Sequence, residues 1–378
     1  MTTVRTLKAT VAADTYPAIE RALIDGVGSG DSPPTVMQWT FDDELFLEIG
    51  PVEDAALIDR ERADEHGVSY GRRYNVSGGT GFFREDHTPV LYAFFPDRGE
   101  HTMAEYIDLA GEAMAGALRD AGVENATYRD GGDVELVPDD DGGLLKIGVS
   151  GAGYQDGVWG VFANVIYRSY GPDEFEIIND VMRLPKEKFE DKDTDSVEGR
   201  MTSVAEVAPD LELEAVLDAA TDRLADLAGG EPEPGSFTDA EEAAIESHRE
   251  TYGGREWFEH YSTSDLVDTA GPDDRVAEVA YKGRKLIKAS VRVDADGTID
   301  RMQFTGDMYH RPGLEALDRL NDAVEGVDLA DDDALQTAIE SVYDQEDVEL
   351  PWLPPEDFVQ PLRRARDNLV PASEFSRE

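Results

Sequence analysis

Apolar residues recur at helical spacing in some stretches of the chain and alternate with polar ones in others. Ile19, Leu23 and Ile24 share one face of Asp14–Asp25, which predicts a helix, and the following Gly-Val-Gly-Ser-Gly breaks it. Two strands are expected over Thr35–Thr40 and Glu44–Ile49, joined by a Phe-Asp-Asp turn. Ala55–His66 is amphipathic, with Gly67 placed to cap it in the left-handed region. HTPVLYAFFP at His87–Pro96 alternates like a strand, and Met103–Ala121 is the longest helical stretch in that half. DVELV, LLKIGVSGA and VWGVFANVIYR, beginning at Asp133, Leu144 and Val158, read as three strands of one sheet. Helices are expected over Leu211–Leu227 and Thr238–Tyr252, the second with a Thr238/Glu241 capping box, and AGGEPEPGS between them reads as a linker. Three strands follow within Arg275–Phe304, with Asp294–Gly297 as a turn, and then helices over Gly313–Val324 and Ala334–Tyr343. Strand pairs separated by long helices make the fold class α+β.

A length of 378 residues suits two or three domains, with a boundary expected between Ala228 and Pro272. Hydrophobic residues are 40% of the chain, enough for packed cores. Charge then changes the picture: Asp+Glu number 83 against 34 Lys+Arg, a formal net charge of -49 spread over the whole length. Such a chain repels itself in dilute buffer and is screened by molar salt, which is the expectation for the cytoplasmic protein of a salt-accumulating halophile. Binding to a nucleic-acid backbone is disfavoured by the same charge. There is no cysteine, which excludes disulfides, cysteine-ligated metals and thiol nucleophiles. No stretch approaches the length of an apolar membrane span, so no membrane role is expected.

Two stretches carry candidate chemistry. GRRYNVSGGTGFF at Gly71–Phe83 runs Arg72 and Arg73 into a turn built from Ser77, Gly78, Gly79, Thr80 and Gly81. It reads as a tight hairpin, as an anion cradle of exposed amides reinforced by guanidinium groups, or as a place where a ligand lies flat on the main chain. No Gly-Lys-Ser/Thr follows, so it is not a Walker A loop. Lys146, within the apolar strand GGLLKIGVSGAGYQ, either snorkels to solvent or sets a fixed positive charge beside a developing oxyanion. The six histidines form no metal-ligand cluster, so no protein-held metal is expected.

In their order along the chain these stretches resemble the lipoate–protein ligase A family. EHGVSYGRRYNVSGGTGFF, GGDVELV, LLKIGVSGAGYQ and LPKEKFEDKDTDSVEGRMTSV match the catalytic domain's segments in sequence. TDAEEAAIESHRETYGGREW resembles its closing helix, and KLIKASVRVDADGTIDRMQFTGDMYHRP resembles the family's C-terminal accessory domain. The resemblance implies a mixed-sheet ligase domain of the biotin/lipoate type over residues 1–255, closed by a helical segment about 205–255, and a smaller α+β domain over 256–378. It implies ATP with its Mg2+ as cofactor and lipoate (or octanoate) as substrate, joined as an acyl-adenylate. The acyl group would pass to a lysine on lipoyl carrier domains of 2-oxoacid dehydrogenase complexes or on the glycine cleavage H protein. By the same resemblance Lys146 is the catalytic cation, Arg72 and Arg73 hold phosphate, and Ser77, Gly78, Gly79 and Thr80 line the acyl and nucleotide site. Asp133 would assist magnesium or the incoming lysine. The chain departs from the family pattern at Tyr74-Asn75-Val76, Arg84-Glu85, Gly132 and Phe162. The alternative is a non-catalytic homologue that binds acyl groups or acts as a scaffold. Biotin ligases lack support, because their Gly-Arg-Gly-Arg loop is absent here.

Overall fold

The computed structural model describes residues 2–85, 87–137, 143–183 and 201–375. LPKEKFEDKDTDSVEGRMTSV, the most persuasive of the matching stretches, begins at Leu184, and its residues 184–200 lie outside the described residues. The chain enters through β1 (Thr2–Val11), returns by a helix over Tyr16–Ser29, and continues into β2 (Thr35–Phe41) parallel to β1. A side sheet follows from β3 (Phe46–Ile49), β4 (Ser69–Arg72) and β5 (Gly81–Phe83), in the order β4-β3-β5. β6 (Val90–Pro96) rejoins the main sheet, which β7 (Ala126–Arg129), β8 (Asp133–Leu136), β9 (Leu145–Gln155) and β10 (Val158–Val165) extend. β11 (Gly230–Pro234) closes the other edge, giving the mixed order β11-β1-β2-β6-β10-β9-β8-β7.

Helices cover both faces of this sheet, so its central strands are apolar on both sides. Every residue of β10 is buried. On one face the helix Met103–Asp120 lays Tyr106, Ile107, Met114 and Leu118 against β9 and β10, and the helix Leu213–Leu227 packs beside it. Fully burying such a side chain contributes about 1.5–3 kcal/mol. On the other face Ile19, Leu23 and Val27 of the first helix meet Trp39, Tyr92 and Phe94.

A second, smaller α+β unit holds its own sheet in the order β14-β13-β12-β15, from β12 (Arg275–Lys282), β13 (Leu286–Val293), β14 (Ile299–Gly306) and β15 (Val370–Pro371). Helices Glu315–Val324, Asp332–Tyr343 and Pro355–Asp367 cover it around Phe304, Leu317, Ile339 and Phe358. The α+β class is therefore the observed one.

Local departures have local causes. AGGEPEPGS is not a linker: Gly230–Pro234 pairs with β1 as an edge strand, where missing proline donors face outward. The helix expected over Ala55–His66 divides into a single tight turn at Ala55–Leu57 and a helix at Arg60–His66. Asp59 restarts it, being extended with its carboxylate accepting from Arg62 N. Gly67, at φ 68°, caps that helix as expected. The first helix runs on through Gly26 and Gly28 to Ser29, and at Gly26 glycine is favoured because a side chain would meet Ser32 Oγ at 2.5 Å.

Candidate active site

Between the two units lies a cavity of about 490 Å³. Its wall includes an apolar group, Phe82, Phe162, Ile166, Tyr170, Met182 and Met201, and an ionic group, Lys146, Asp133, Arg129, Lys285 and Asp307. A wall that offers both suits an amphipathic acid, apolar at its tail and anionic at its head.

Lys146 is set by β9, whose edge toward β8 brings it opposite Glu135. Its Nζ lies 2.8 Å from Asp133 Oδ1, at the start of β8. Arg129 Nη2 approaches the same carboxylate at 2.8 Å and Glu135 at 2.7 Å. Burial alone would raise the Asp133 pKa, but Lys146, then Arg129 and Lys285, outweigh it and hold the carboxyl well below the usual range. Asp133 is therefore an ionised anchor that aims Lys146, and it is a poor base at neutral pH.

The two arginines part company. Arg72 is 1% exposed, and its guanidinium is shared among main-chain carbonyls of Gly50, Pro51, Glu53, Phe258 and Tyr261. Burial pushes its pKa down to about 10, against the pull of Glu53 and Asp54. With its five N–H groups engaged it ties the side sheet to the segment after the helix Asp239–Tyr252, outside the cavity wall. Arg73 borders the cavity, paired with Glu48, and donates to Val76 O at 3.0 Å, Gly78 O at 3.1 Å and Gly79 O at 2.5 Å. It draws the carbonyls of the glycine turn inward.

The turn itself is closed by the second unit. Gly78 has φ 111°, donates to Met308 O at 2.9 Å, and would bring a Cβ to 3.2 Å from Tyr309 Oη. A Cβ on Gly79 would lie 2.8 Å from Asp307 Cγ. These glycines are favoured by the close passage of Gly306–Tyr309 from the second unit. Ser77 is 2% exposed and lines the cavity, and its Oγ has no hydrogen-bond partner among the described residues. Thr80 Oγ1 donates to the Glu53 carboxylate at 2.9 Å. Lys146, Asp133, Arg73, Ser77, Gly78, Gly79 and Thr80 thus border one cavity, and Arg72 stands behind it.

Sequence reasoning passed over Arg129, Lys282, Lys285 and Tyr309. The signal for the lysines was present: Lys282, Arg284 and Lys285 fall within one short turn of a chain with 34 basic residues against 83 acidic ones. Among the described residues, no group of three histidine or carboxylate side chains is arranged to hold a metal ion, and no helix is long and apolar enough to cross a membrane.

Residues 14–225 match the lipoyl protein ligase A/B catalytic domain. Among solved structures, the bipartite lipoate protein ligase of Thermoplasma acidophilum is 18% identical, with a TM-score of 0.56 over 69% of this chain and 98% of its own. A lipoate-protein ligase A bound with ATP is 16% identical, with a TM-score of 0.54 over 68% of this chain and 98% of its own. LipL1 of P. falciparum, in complex with lipoate, is 11% identical, with a TM-score of 0.64 over 96% of this chain and 98% of its own. At these identities the likeness is one of fold. No curated protein matches the chain.

Proposed function

The chain belongs to the lipoyl protein ligase A/B family, and from that premise we propose that it joins lipoate or octanoate to AMP and transfers the acyl group to a carrier lysine. The observation that carries this reading is Lys146, held by Asp133 at 2.8 Å in the wall of a cavity that also offers apolar side chains. Similar structures are described with ATP, with lipoate and with an E2 lipoyl domain, which supports the choice of reactants.

In the first step a carboxylate oxygen of the acid attacks the α-phosphorus of ATP. The bond from that phosphorus to the bridging oxygen breaks, and pyrophosphate leaves with the electron pair. In the second step the amine of the carrier lysine attacks the acyl carbon, the carbon–oxygen bond to AMP breaks, and the amine's proton passes to solvent. Negative charge grows beside the same carbonyl and phosphate in both steps, so one fixed ammonium serves both. Lys146 fills that role, and Asp133 keeps it from swinging into solvent. Phe162, Tyr170 and the neighbouring methionines hold the acyl tail and exclude water from the adenylate. Arg73 fixes the glycine turn by holding the carbonyls of Gly78 and Gly79 to itself, while Ser77 Oγ offers the phosphates a direct polar contact. Magnesium would arrive on the nucleotide's phosphates, its chemistry being charge neutralisation there. Residues 1–255 form the catalytic domain and 256–378 the accessory domain in this reading, in the cytoplasm of a salt-accumulating cell.

Mass spectrometry of a lipoyl carrier domain incubated with enzyme, ATP and lipoate tests the proposal. One acyl group per carrier is expected with the native chain, and none above background with folded Lys146→Ala. Full acylation by Lys146→Ala would remove Lys146 from the mechanism. Acyl binding by the native chain without carrier modification would favour the non-catalytic homologue.

A further inference from the structure

Lysines and arginines are scarce in this chain, and most of those described sit within 4.0 Å of a carboxylate. Two that line the cavity do not. Lys285 Nζ donates to Gly131 O at 3.3 Å and stands 4.5 Å over the Tyr309 ring and 5.3 Å over the Trp352 ring. It makes no ion pair within 4.0 Å among the described residues, and one carbonyl leaves two of its three N–H groups to spare. Lys282 Nζ has only Arg284 O, at 3.4 Å, and it too lines the cavity without an ion pair among the described residues.

Both lysines belong to the turn joining β12 to β13, where Lys282 faces Leu286 and Gly283 N donates to Lys285 O at 3.2 Å. Arg284 pins the turn across the cavity mouth through Asp130, 2.6 Å away on the turn between β7 and β8. A side chain at Gly283 would come within 2.4 Å of the Asp357 carboxylate, so the helix Pro355–Asp367 fixes the turn from behind. Holding a half-buried ammonium in this way without a counter-charge is unfavourable unless an anion completes the site. Burial, reinforced by Lys282 and Lys146, pushes the Lys285 pKa below the usual lysine range, although Asp307 and Asp133 pull the other way. The nearby carboxylates are therefore insufficient compensation.

We propose that Lys285 and Lys282 form a subsite for the terminal phosphates of the nucleotide, the part that leaves as pyrophosphate. The subsite rests on the reading of the chain as an acyl-adenylate ligase. Lys146 then faces the reacting α-phosphate and the acyl carbonyl, and the β12–β13 turn holds the charge that departs. Lys285 is a binding residue of the first step alone, because no pyrophosphate is present in the second.

The test compares the native chain with Lys285→Ala, Lys285→Arg and Lys282→Ala in molar KCl. The unfolding midpoints of the alanine variants are expected at or above the native value, since the charges removed are uncompensated and lie at a turn. In ATP–pyrophosphate exchange, the KM for pyrophosphate should rise at least about tenfold in Lys285→Ala, with Lys285→Arg recovering most of the loss. The KM for the acyl acid, and transfer from synthetic acyl-adenylate to a carrier, should be unchanged. An unaltered pyrophosphate KM in Lys285→Ala, or an equal loss in the transfer step, overturns the subsite. Titration calorimetry with inorganic pyrophosphate separates the two readings. If the native chain exchanges nothing, a tenfold weaker affinity in Lys285→Ala still supports the anion subsite while the ligase reading falls, and equal affinities overturn the subsite too.

Discussion

Glu20 shows how one side chain sets the condition of the site. It is fully buried, and its Oε2 accepts from the amides of Tyr74 at 2.9 Å and Asn75 at 3.3 Å, the residues that lead into the glycine turn. Burial raises its pKa to about 7, reinforced by Glu48 and opposed by those amides and Arg73. The folded chain therefore holds a proton that the unfolded chain has released from about pH 4.5 upward, and stability declines as pH rises from there to about 7. Glu20→Gln keeps an oxygen for the two amides and removes the charge. It should stabilise the protein at pH 8 by up to about 3 kcal/mol in denaturant unfolding, with the difference closing near pH 5. A less stable Glu20→Gln at pH 8 would show that the ionised form is compensated. Asp133 has the opposite sign: its lowered pKa contributes stability that is present near neutrality and lost only under acid conditions.

At the scale of elements, the glycine turn and the edge strand are the informative cases. Gly78→Ala places a Cβ at φ 111° against the Tyr309 ring and should destabilise the protein by about 1–3 kcal/mol. An unchanged midpoint would mean that Gly306–Tyr309 does not hold the turn. Arg5 of β1 meets Glu241 through two contacts, 2.7 Å and 2.5 Å, and Ser32 Oγ donates to the same carboxylate at 2.7 Å. Burial would raise the Glu241 pKa, but Arg5, Thr238 N and Ser32 bring it down to about 2. The pair should hold near neutral pH and weaken as pH falls from about 4.5 toward 2, and Glu241→Ala should cost about 3–5 kcal/mol. A Glu241→Ala midpoint within a degree of native would contradict that. The capping box behind this pair was legible, because Thr238 and Glu241 are three apart before a helical run. Most long helices and β2, β6, β9 and β10 were legible because each buries a periodic apolar set, whereas the helix Pro355–Asp367 was not, since it opens on Pro354-Pro355 and carries Pro361 inside. β1 was not, since Arg5 is buried among Val4, Leu7 and Val11 and spoils the alternation. Nor was β11, whose Gly-Glu-Pro-Glu-Pro gains strand geometry only from pairing with β1. Lys146 stood out as a charge within an apolar strand and Asp133 through the family resemblance, whereas the basic cluster around Lys285 was legible only as composition, and its place in the cavity wall depends on the second unit's packing.

For the whole molecule the central fact is charge. On the proposed function, a net charge of -49 would repel the polyanionic nucleotide, so the cations that meet it must be gathered at one place. Arg129, Lys146, Lys282 and Lys285 all line the one cavity, from both units. Salt should therefore act on two quantities. Unfolding midpoint is expected to rise with KCl into the molar range as self-repulsion is screened, and acyl transfer should rise with it until folding is complete. Full stability in dilute buffer would contradict a chain built for high salt.

The most direct test of the central claim is ATP–pyrophosphate exchange in molar KCl, with lipoate, octanoate and biotin supplied separately. Exchange is expected to depend on lipoate or octanoate, to be silent with biotin, and to disappear in Lys146→Ala. No exchange with any acid, in protein shown to be folded and able to bind ATP, would contradict adenylate formation by this chain.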